Sequence, residues 1–229
     1  MIIGALGDIH GEFETVQDVM GRHPEVPLWM QVGDVASNSG EYFTPIAPLY
    51  FIKGNNEDFD VIAAAAAGRP AAPTLHYLIN GGPHRVGPWR VAALGGTFAP
   101  TWYHVAASAL PPSHGRRTNA VKLGKSRDDK RRHFVRDEVV ACKDLQAIDL
   151  LLTHEAPRPF HPAGRRLDAG KTVINEVLAS MRPRLHLFGH HHEFTDSMRQ
   201  GVRSVGLDIV TRSYLLIDAA TLRAERVET

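Results

Sequence analysis

Five apolar runs of this chain stop at a side chain able to hold a cation, and that repeated ending narrows the folds open to it. "IIGAL" (2–6) leads into Asp8 and His10, "PLWMQVGD" (27–34) into Asp34, and "PLYFIKGN" (48–55) into Asn55. "IDLLLTHEAP" (148–157) reaches His154, and "RLHLFGHHH" (184–192) reaches His190 and His192. Runs this short and this apolar predict strands buried on both faces, the pattern of parallel sheets covered by helices. In such α/β architectures functional groups gather beyond the carboxyl ends of the strands.

The segments between them support the same class. "GEFETVQDVMGRH" (11–23) carries Phe13, Val16 and Met20 at helical spacing, and "EDFDVIAAAAAG" (57–68) is an alanine-rich helix former stopped by Gly68. From His76 to Gly95 short β-rich pieces joined by Gly and Pro predict a meander. A helix is expected over about 128–145, and an amphipathic one over 172–181. "VRSVG", "SYLLID" and "LRAERV" predict closing strands. No repeat or linker interrupts the 229 residues, so one domain over 1–229 is expected, with a basic loop and helix insertion at about 97–137.

Composition excludes several classes of function. A net charge of +1 gives no global attraction to nucleic acid or membrane. One cysteine, Cys142, rules out an internal disulfide framework and leaves any metal to nitrogen and oxygen ligands. The N-terminal "MIIGALGD" lacks a basic n-region and is too short for a signal peptide or membrane span, which points to a cytoplasmic protein with no membrane partner.

Taken singly, each strand ending has an ordinary explanation. Gly-Asp and Gly-Asn are common turn dipeptides, and a lone His154 would more often be a satisfied histidine near the core. Five in order are not ordinary. Seven ligand candidates suit two nitrogen-oxygen sites that share one carboxylate, the arrangement of a dinuclear metal centre. The Asp-x-His and His-x-His spacings each send two side chains the same way, so His191 is expected to be exposed or to support the ligands.

At this point the chain resembles the calcineurin-like metallophosphoesterases, through "GDIHG" (7–11), "GD" (33–34), "GNNE" (54–57), "THEAP" (153–157) and "GHHH" (189–192). The resemblance implies a four-layered α/β/β/α sandwich. It also implies that Asp8, His10 and His192 hold one metal, that Asn55, His154 and His190 hold the other, and that Asp34 bridges them. The implied reaction is hydrolysis of a phosphoester by a hydroxide bridging two divalent ions, with Asp34, Asn56 and His154 in the catalytic set. Mn²⁺ is the expected metal, with Fe²⁺ and Zn²⁺ suited to the same donors. A looser similarity links "VAALGGTFAPTWY" (91–103), "RRHFVRDEV" (131–139) and "IDLLLTHEAPR" (148–158) to the RNA lariat debranching branch, favouring a phosphodiester substrate and a nucleotide or nucleic acid partner.

One position departs from the pattern. Asn56 stands where many relatives have a histidine that contacts the phosphate and can protonate the leaving group. An amide can donate a hydrogen bond there but cannot act as a general acid. His104, His133 and Glu57 are the candidate substitutes, and Asn56, His104 and Arg136 are the expected substrate contacts. Residues 97–137 hold nine Lys/Arg against three Asp, and Phe98, Trp102 and Tyr103 could stack a base beside that charge. Competing readings are a phosphomonoesterase or protein phosphatase, and a non-catalytic scaffold of the same fold. Filled positions at all seven ligands favour the enzyme.

Overall fold

The computed structural model describes residues 1–112, 128–164 and 166–229. Its elements run β1 (Ile2–Leu6), α1 (Phe13–Gly21), β2 (Trp29–Gln31), β3 (Leu49–Phe51), α2 (Phe59–Ala66), β4 (Leu75–Tyr77), β5 (His84–Val86) and β6 (Trp89–Leu94). They continue with α3 (Arg136–Lys143), β7 (Leu150–Thr153), α4 (Thr172–Met181), β8 (Leu185–Phe188), β9 (Thr195–Arg199), β10 (Val202–Gly206), β11 (Ser213–Asp218) and β12 (Ala224–Glu228). Two six-stranded sheets result, ordered β12-β11-β1-β2-β3-β4 and β5-β6-β7-β8-β10-β9. Each has four parallel strands, β1 to β4 in one and β6, β7, β8 and β10 in the other, with antiparallel strands completing the edges.

Side-chain alternation explains why the sheets stack. Ile3, Ala5, Met30 and Ile52 turn inward against Val91, Ala93, Leu150, Leu152, Leu185, Leu187 and Val205 of the other sheet. Their neighbours Trp29, Leu49 and Phe51 face outward onto Val16, Val19 and Met20 of α1 and Phe59 and Ile62 of α2. On the far side Ala92, Leu94 and Leu151 meet Val139 and Cys142 of α3 and Ile174, Val177 and Leu178 of α4. The order α/β/β/α is therefore the expected four-layered sandwich. Each fully buried aliphatic side chain contributes about 1.5–3 kcal/mol relative to leaving it in water. Gly4 shows how tight the outer layer is: a Cβ there would sit 2.0 Å from the Trp29 ring.

Two expectations need correction. The meander over 76–95 is split, because β4 pairs with β3 while β5 and β6 enter the second sheet. The helix expected over 128–145 is shorter, a 3-10 turn at Lys130–Arg132 followed by α3. Its first part is drawn into other pairing. The Asp129 carboxylate accepts from Arg131 N, and Thr97 N and Phe134 N bond Arg132 O and Thr97 O on either side of an extended His133. The basic residues Arg116, Arg117, Lys122, Lys125 and Arg127 lie outside the described residues. Among the described residues no helix is long and apolar enough to cross a membrane.

One buried polar group carries a measurable consequence. His186 on β8 is fully buried, with Nε2 2.8 Å from Thr153 Oγ1 and Nδ1 3.1 Å from Ser204 Oγ. Thr153 Oγ1 donates to Glu155 O, so it accepts from His186 Nε2–H, and the ring is satisfied as the neutral form. Burial pushes its pKa from the usual 6.5 down to about 3. A depressed folded-state pKa means this contribution is fully present above pH 6.5 and is lost as pH falls toward 3. Urea midpoints between pH 7 and pH 4 are expected to fall less steeply in His186→Gln than in wild type. The slopes should differ by up to about 1.4 kcal/mol per pH unit, the contribution of one proton.

Candidate metal centre

The carboxyl ends of β1, β2 and β3 in one sheet and of β7 and β8 in the other meet along one rim. Asp8, His10, Asp34, Asn55, His154, His190 and His192 all lie in the turns just beyond those ends. Four of them hold left-handed backbone: His10 (φ 50°), Asp34 (φ 64°), His190 (φ 72°) and His192 (φ 52°). Non-glycine residues there cost about 1–3 kcal/mol each, and such strain gathers where geometry serves function. The turns hold one another in place. Ile9 N and His10 N both donate to Asp34 O, His190 N donates to Asp8 Oδ1, and Val210 N donates to Asp8 O.

The glycines before Asp34, Asn55 and His190 have a physical reason, and it lies in a different turn. A Cβ on Gly33 would come within 2.6 Å of His154 Nδ1, one on Gly54 within 2.0 Å of Asp34 Oδ1, and one on Gly189 within 2.4 Å of Asp8 Oδ1. Each of these three glycines leaves space for the polar side chain of another motif.

Two triads of donor atoms result, Asp8 with His10 and His192, and Asp34 with His154 and His190, the atoms of each within 4.8 Å of one another. His192 Nε2 is 2.9 Å from Asp8 Oδ2 and 3.0 Å from His10 Nε2. His190 Nδ1 is 3.2 Å from His154 Nε2, which lies 3.3 Å from Asn55 Oδ1. Asp34 Oδ2 stands between the triads, 3.6 Å from both His10 Nε2 and His154 Nε2. Val32 O, 2.8 Å from His154 Nδ1, can only accept, so Nδ1 carries the proton and Nε2 presents its lone pair to the rim. Nitrogen and oxygen donors at these separations fit a divalent cation, since adjacent ligands about 2.1 Å from one ion lie roughly 3 Å apart.

The electrostatics favour positive charge at the rim. Burial alone would raise the Asp8 pKa, but hydrogen bonds from His10 and His192 outweigh it and hold the carboxyl well below its usual range. Burial lowers the pKa values of His10 and His154, and Asp8 and Asp34 reverse the sign, leaving both raised. His190 moves the other way, pushed far down by burial and by the neighbouring His154. Two buried carboxylates in a mostly dry wall attract any cation strongly.

Supporting residues emerge only in three dimensions. Gln31 donates from Nε2 to Gly7 O and Gly33 O and accepts from Gly33 N, tying two of the turns together. Glu57 accepts from Val35 N, Ala36 N, Gly54 N and Tyr42 OH, clamping the turns that carry Asp34 and Asn55. Burial and the Asp34 charge raise its pKa to about 7. Gln31 lies in an apolar run and Glu57 among polar turn residues, and neither stretch signals these tasks.

Of the remaining candidates only Asn56 lies against the two triads. Asn56 N donates to Asp34 Oδ1 at 2.6 Å, while its side-chain Nδ2 donates to Ala36 O and lies 3.3 Å from His10 Nδ1. His133 Nδ1 is 3.0 Å from Thr97 Oγ1, and burial with nearby Arg132 lowers its pKa to about 4. His104 is exposed beside the Tyr103 ring, and Arg136 begins α3. Among the described residues no hydrogen bond or ring contact joins His104, His133 or Arg136 to the two triads. His191 stacks on Phe160 with ring centres 4.6 Å apart.

The chain has relatives recognisable in sequence and in fold. Lariat debranching enzymes of Schizosaccharomyces pombe and Homo sapiens are 25% and 24% identical to it over 82% and 79% of its length. The matched regions span only 42% and 34% of those enzymes. An uncharacterized Haemophilus influenzae protein is 23% identical, covering 82% of this chain and 81% of its own. In fold, a Thermus thermophilus protein superposes with a TM-score of 0.67 at 15% identity, covering 99% of this chain and 98% of its own. A dimetal phosphatase from Danio rerio does so with 0.57 at 11%, covering 100% and 98%. The family model for the calcineurin-like phosphoesterase superfamily domain matches residues 1–207. The chain belongs to the calcineurin-like phosphoesterase superfamily.

Proposed function

We propose that the protein is a metal-dependent phosphodiesterase working through a dinuclear centre. The observation that carries this reading is the place of Asp34 Oδ2, equally distant from a histidine of each triad. In this reading Asp8, His10 and His192 hold one ion, Asn55, His154 and His190 the other, and Asp34 both. Two such ions, with Mn²⁺ the first choice, would supply a water acidified to near neutral pH and would neutralise charge on the phosphate oxygens. Val32 O keeps His154 in the tautomer that can ligate, and Glu57 and Gln31 hold the turns against the backbone strain.

Asn56 positions rather than protonates. Its backbone N–H fixes one oxygen of Asp34, and its amide rests against His10, so its task is to orient the ligands and offer a neutral donor to the phosphate. A reaction without a histidine here suits a diester whose leaving group needs little protonation. Arg136 and His104 are assigned to the substrate side, away from the ions.

The test is metal content together with turnover. After loading with Mn²⁺ the protein is expected to bind two ions per chain and to hydrolyse bis(p-nitrophenyl) phosphate faster than p-nitrophenyl phosphate. EDTA should abolish both rates. A preference for the monoester would overturn the diester assignment, and metal-independent or absent turnover would overturn the reading as a whole.

A further inference from the structure

A cavity of about 500 Å³ opens between α3 and α4, lined among others by Phe98, Tyr103, Arg136, Arg158 and Lys171. That volume suits a small organic ligand, for which pockets run about 300–1,000 Å³. Both helices follow strands of the second sheet, so Arg136 and Thr172 begin them at the carboxyl ends of those strands, on the side of the metal rim. Contact with the rim is close. Glu155, the residue after His154, accepts from Phe98 N at 3.0 Å and faces Lys171 Nζ at 3.4 Å. The same carboxylate lies within 4.8 Å of ring nitrogens of His190 and His191. The groove starts one side chain away from the candidate ligands.

Its lining joins two kinds of contact. Phe98 and Tyr103 are half-buried with ring centres 5.2 Å apart at 66°, which leaves aromatic surface turned to the cavity. Four lining cations, Arg136, Lys143, Arg158 and Lys171, face one lining carboxylate, Glu176, and Lys143 pairs with it at 3.3 Å. Arg158 gives its Nε to Asp168, and Arg136 has no carboxylate partner among the described residues. Trp102 is not in the lining.

We propose that this groove is a nucleotide subsite: it takes the nucleoside phosphate next to the scissile bond, stacking its base on Tyr103 and Phe98 and binding its phosphate through Arg136 and Arg158. The proposal rests on the phosphodiesterase reading for its place in the reaction but not for its binding chemistry. Stacking supplies affinity with little base preference, and the cations supply a salt-dependent term. A purely apolar ligand would leave Arg136 desolvated without a carboxylate partner, and a bare phosphate would leave the aromatic wall unused.

The experiment is binding of a fluorescent single-stranded phosphorothioate 10-mer to the Mn²⁺-loaded protein, followed by anisotropy at several salt concentrations. Arg136→Glu is expected to weaken binding at least about tenfold and to flatten the salt slope. Tyr103→Ala should weaken it by about tenfold while Tyr103→Phe restores it, a pattern that loss of folding would not give. Arg223→Glu serves as a control, since Arg223 lies in the turn after Asp218, whose partner Ile2 begins β1 at the edge opposite the rim. Equal affinity in wild type, Arg136→Glu and Tyr103→Ala overturns the subsite, as does an equal loss in Arg223→Glu. Should no diester be hydrolysed while Arg136→Glu and Tyr103→Ala still lose the 10-mer, the catalytic reading fails and the subsite stands.

Discussion

Asp34→Asn is expected to remove turnover of bis(p-nitrophenyl) phosphate and to lower bound Mn²⁺ from two ions per chain toward one. The variant keeps the shape of the side chain and an oxygen for the Asn56 N–H, now 2.6 Å away. What it loses is the charge that Asp34 Oδ2 places 3.6 Å from both His10 and His154. The loss should exceed the roughly hundred- to thousandfold seen when one electrostatic stabiliser is removed from an active site. Folding should not suffer in parallel, because neutralising a buried carboxylate relieves desolvation and functional sites often hold such unfavourable charge. A thermal midpoint near that of wild type beside a lost rate would locate the effect in the site. A wild-type rate would mean that Asp34 does not stand between two ions.

Gly54→Ala should be nearly as damaging, although Gly54 is not itself a candidate ligand. The new methyl would lie 2.0 Å from Asp34 Oδ1 and 2.3 Å from Asp34 N, so the Asp34 turn or the β3 end has to shift. Overpacking of this kind costs about 1–3 kcal/mol of stability, and here the displaced atoms are also the proposed bridge between ions. Lower metal affinity by calorimetric titration and a reduced urea midpoint are expected together. Gly21→Ala provides the contrast. Gly21 ends α1 with nothing within 4 Å of its would-be Cβ, and alanine there should be neutral or stabilising by up to about 1 kcal/mol. Similar effects from both substitutions would refute the packing explanation for the glycines before Asp34, Asn55 and His190.

Much of the architecture was legible from local patterns. The strands ending at Asp8, Asp34, Asn55, His154 and His190 are short apolar runs, and such runs declare burial on both faces whatever surrounds them. The helices over 13–21, 59–66 and 172–181 carry their apolar residues at helical spacing, which marks the buried stripe. Motif order did the rest for the family. Which sheet a strand joins was another matter. Residues 202–206 and 213–218 read alike as closing strands, yet β10 pairs with β8 and β11 with β1, because pairing depends on long-range register rather than on composition. The stretch over 128–145 has a charged pattern compatible with one helix, and bonds to Thr97 outcompete its first turns.

The chain's letters alone determined the strand ends, the donor types gathered beyond them and the superfamily, since strand burial and donor type are properties of neighbouring residues. Only the tertiary structure decided that Asp34 stands equally far from His10 and His154, that Gly33, Gly54 and Gly189 make room for another motif's polar side chain, and that Glu57 and Gln31 brace the turns. It also placed Phe98, Tyr103, Arg136, Arg158 and Lys171 around one groove, from segments far apart in the chain. The physical reason is the same throughout: distances of a few ångströms between remote segments are set by how the two sheets and their covering helices pack, and no local spacing encodes them.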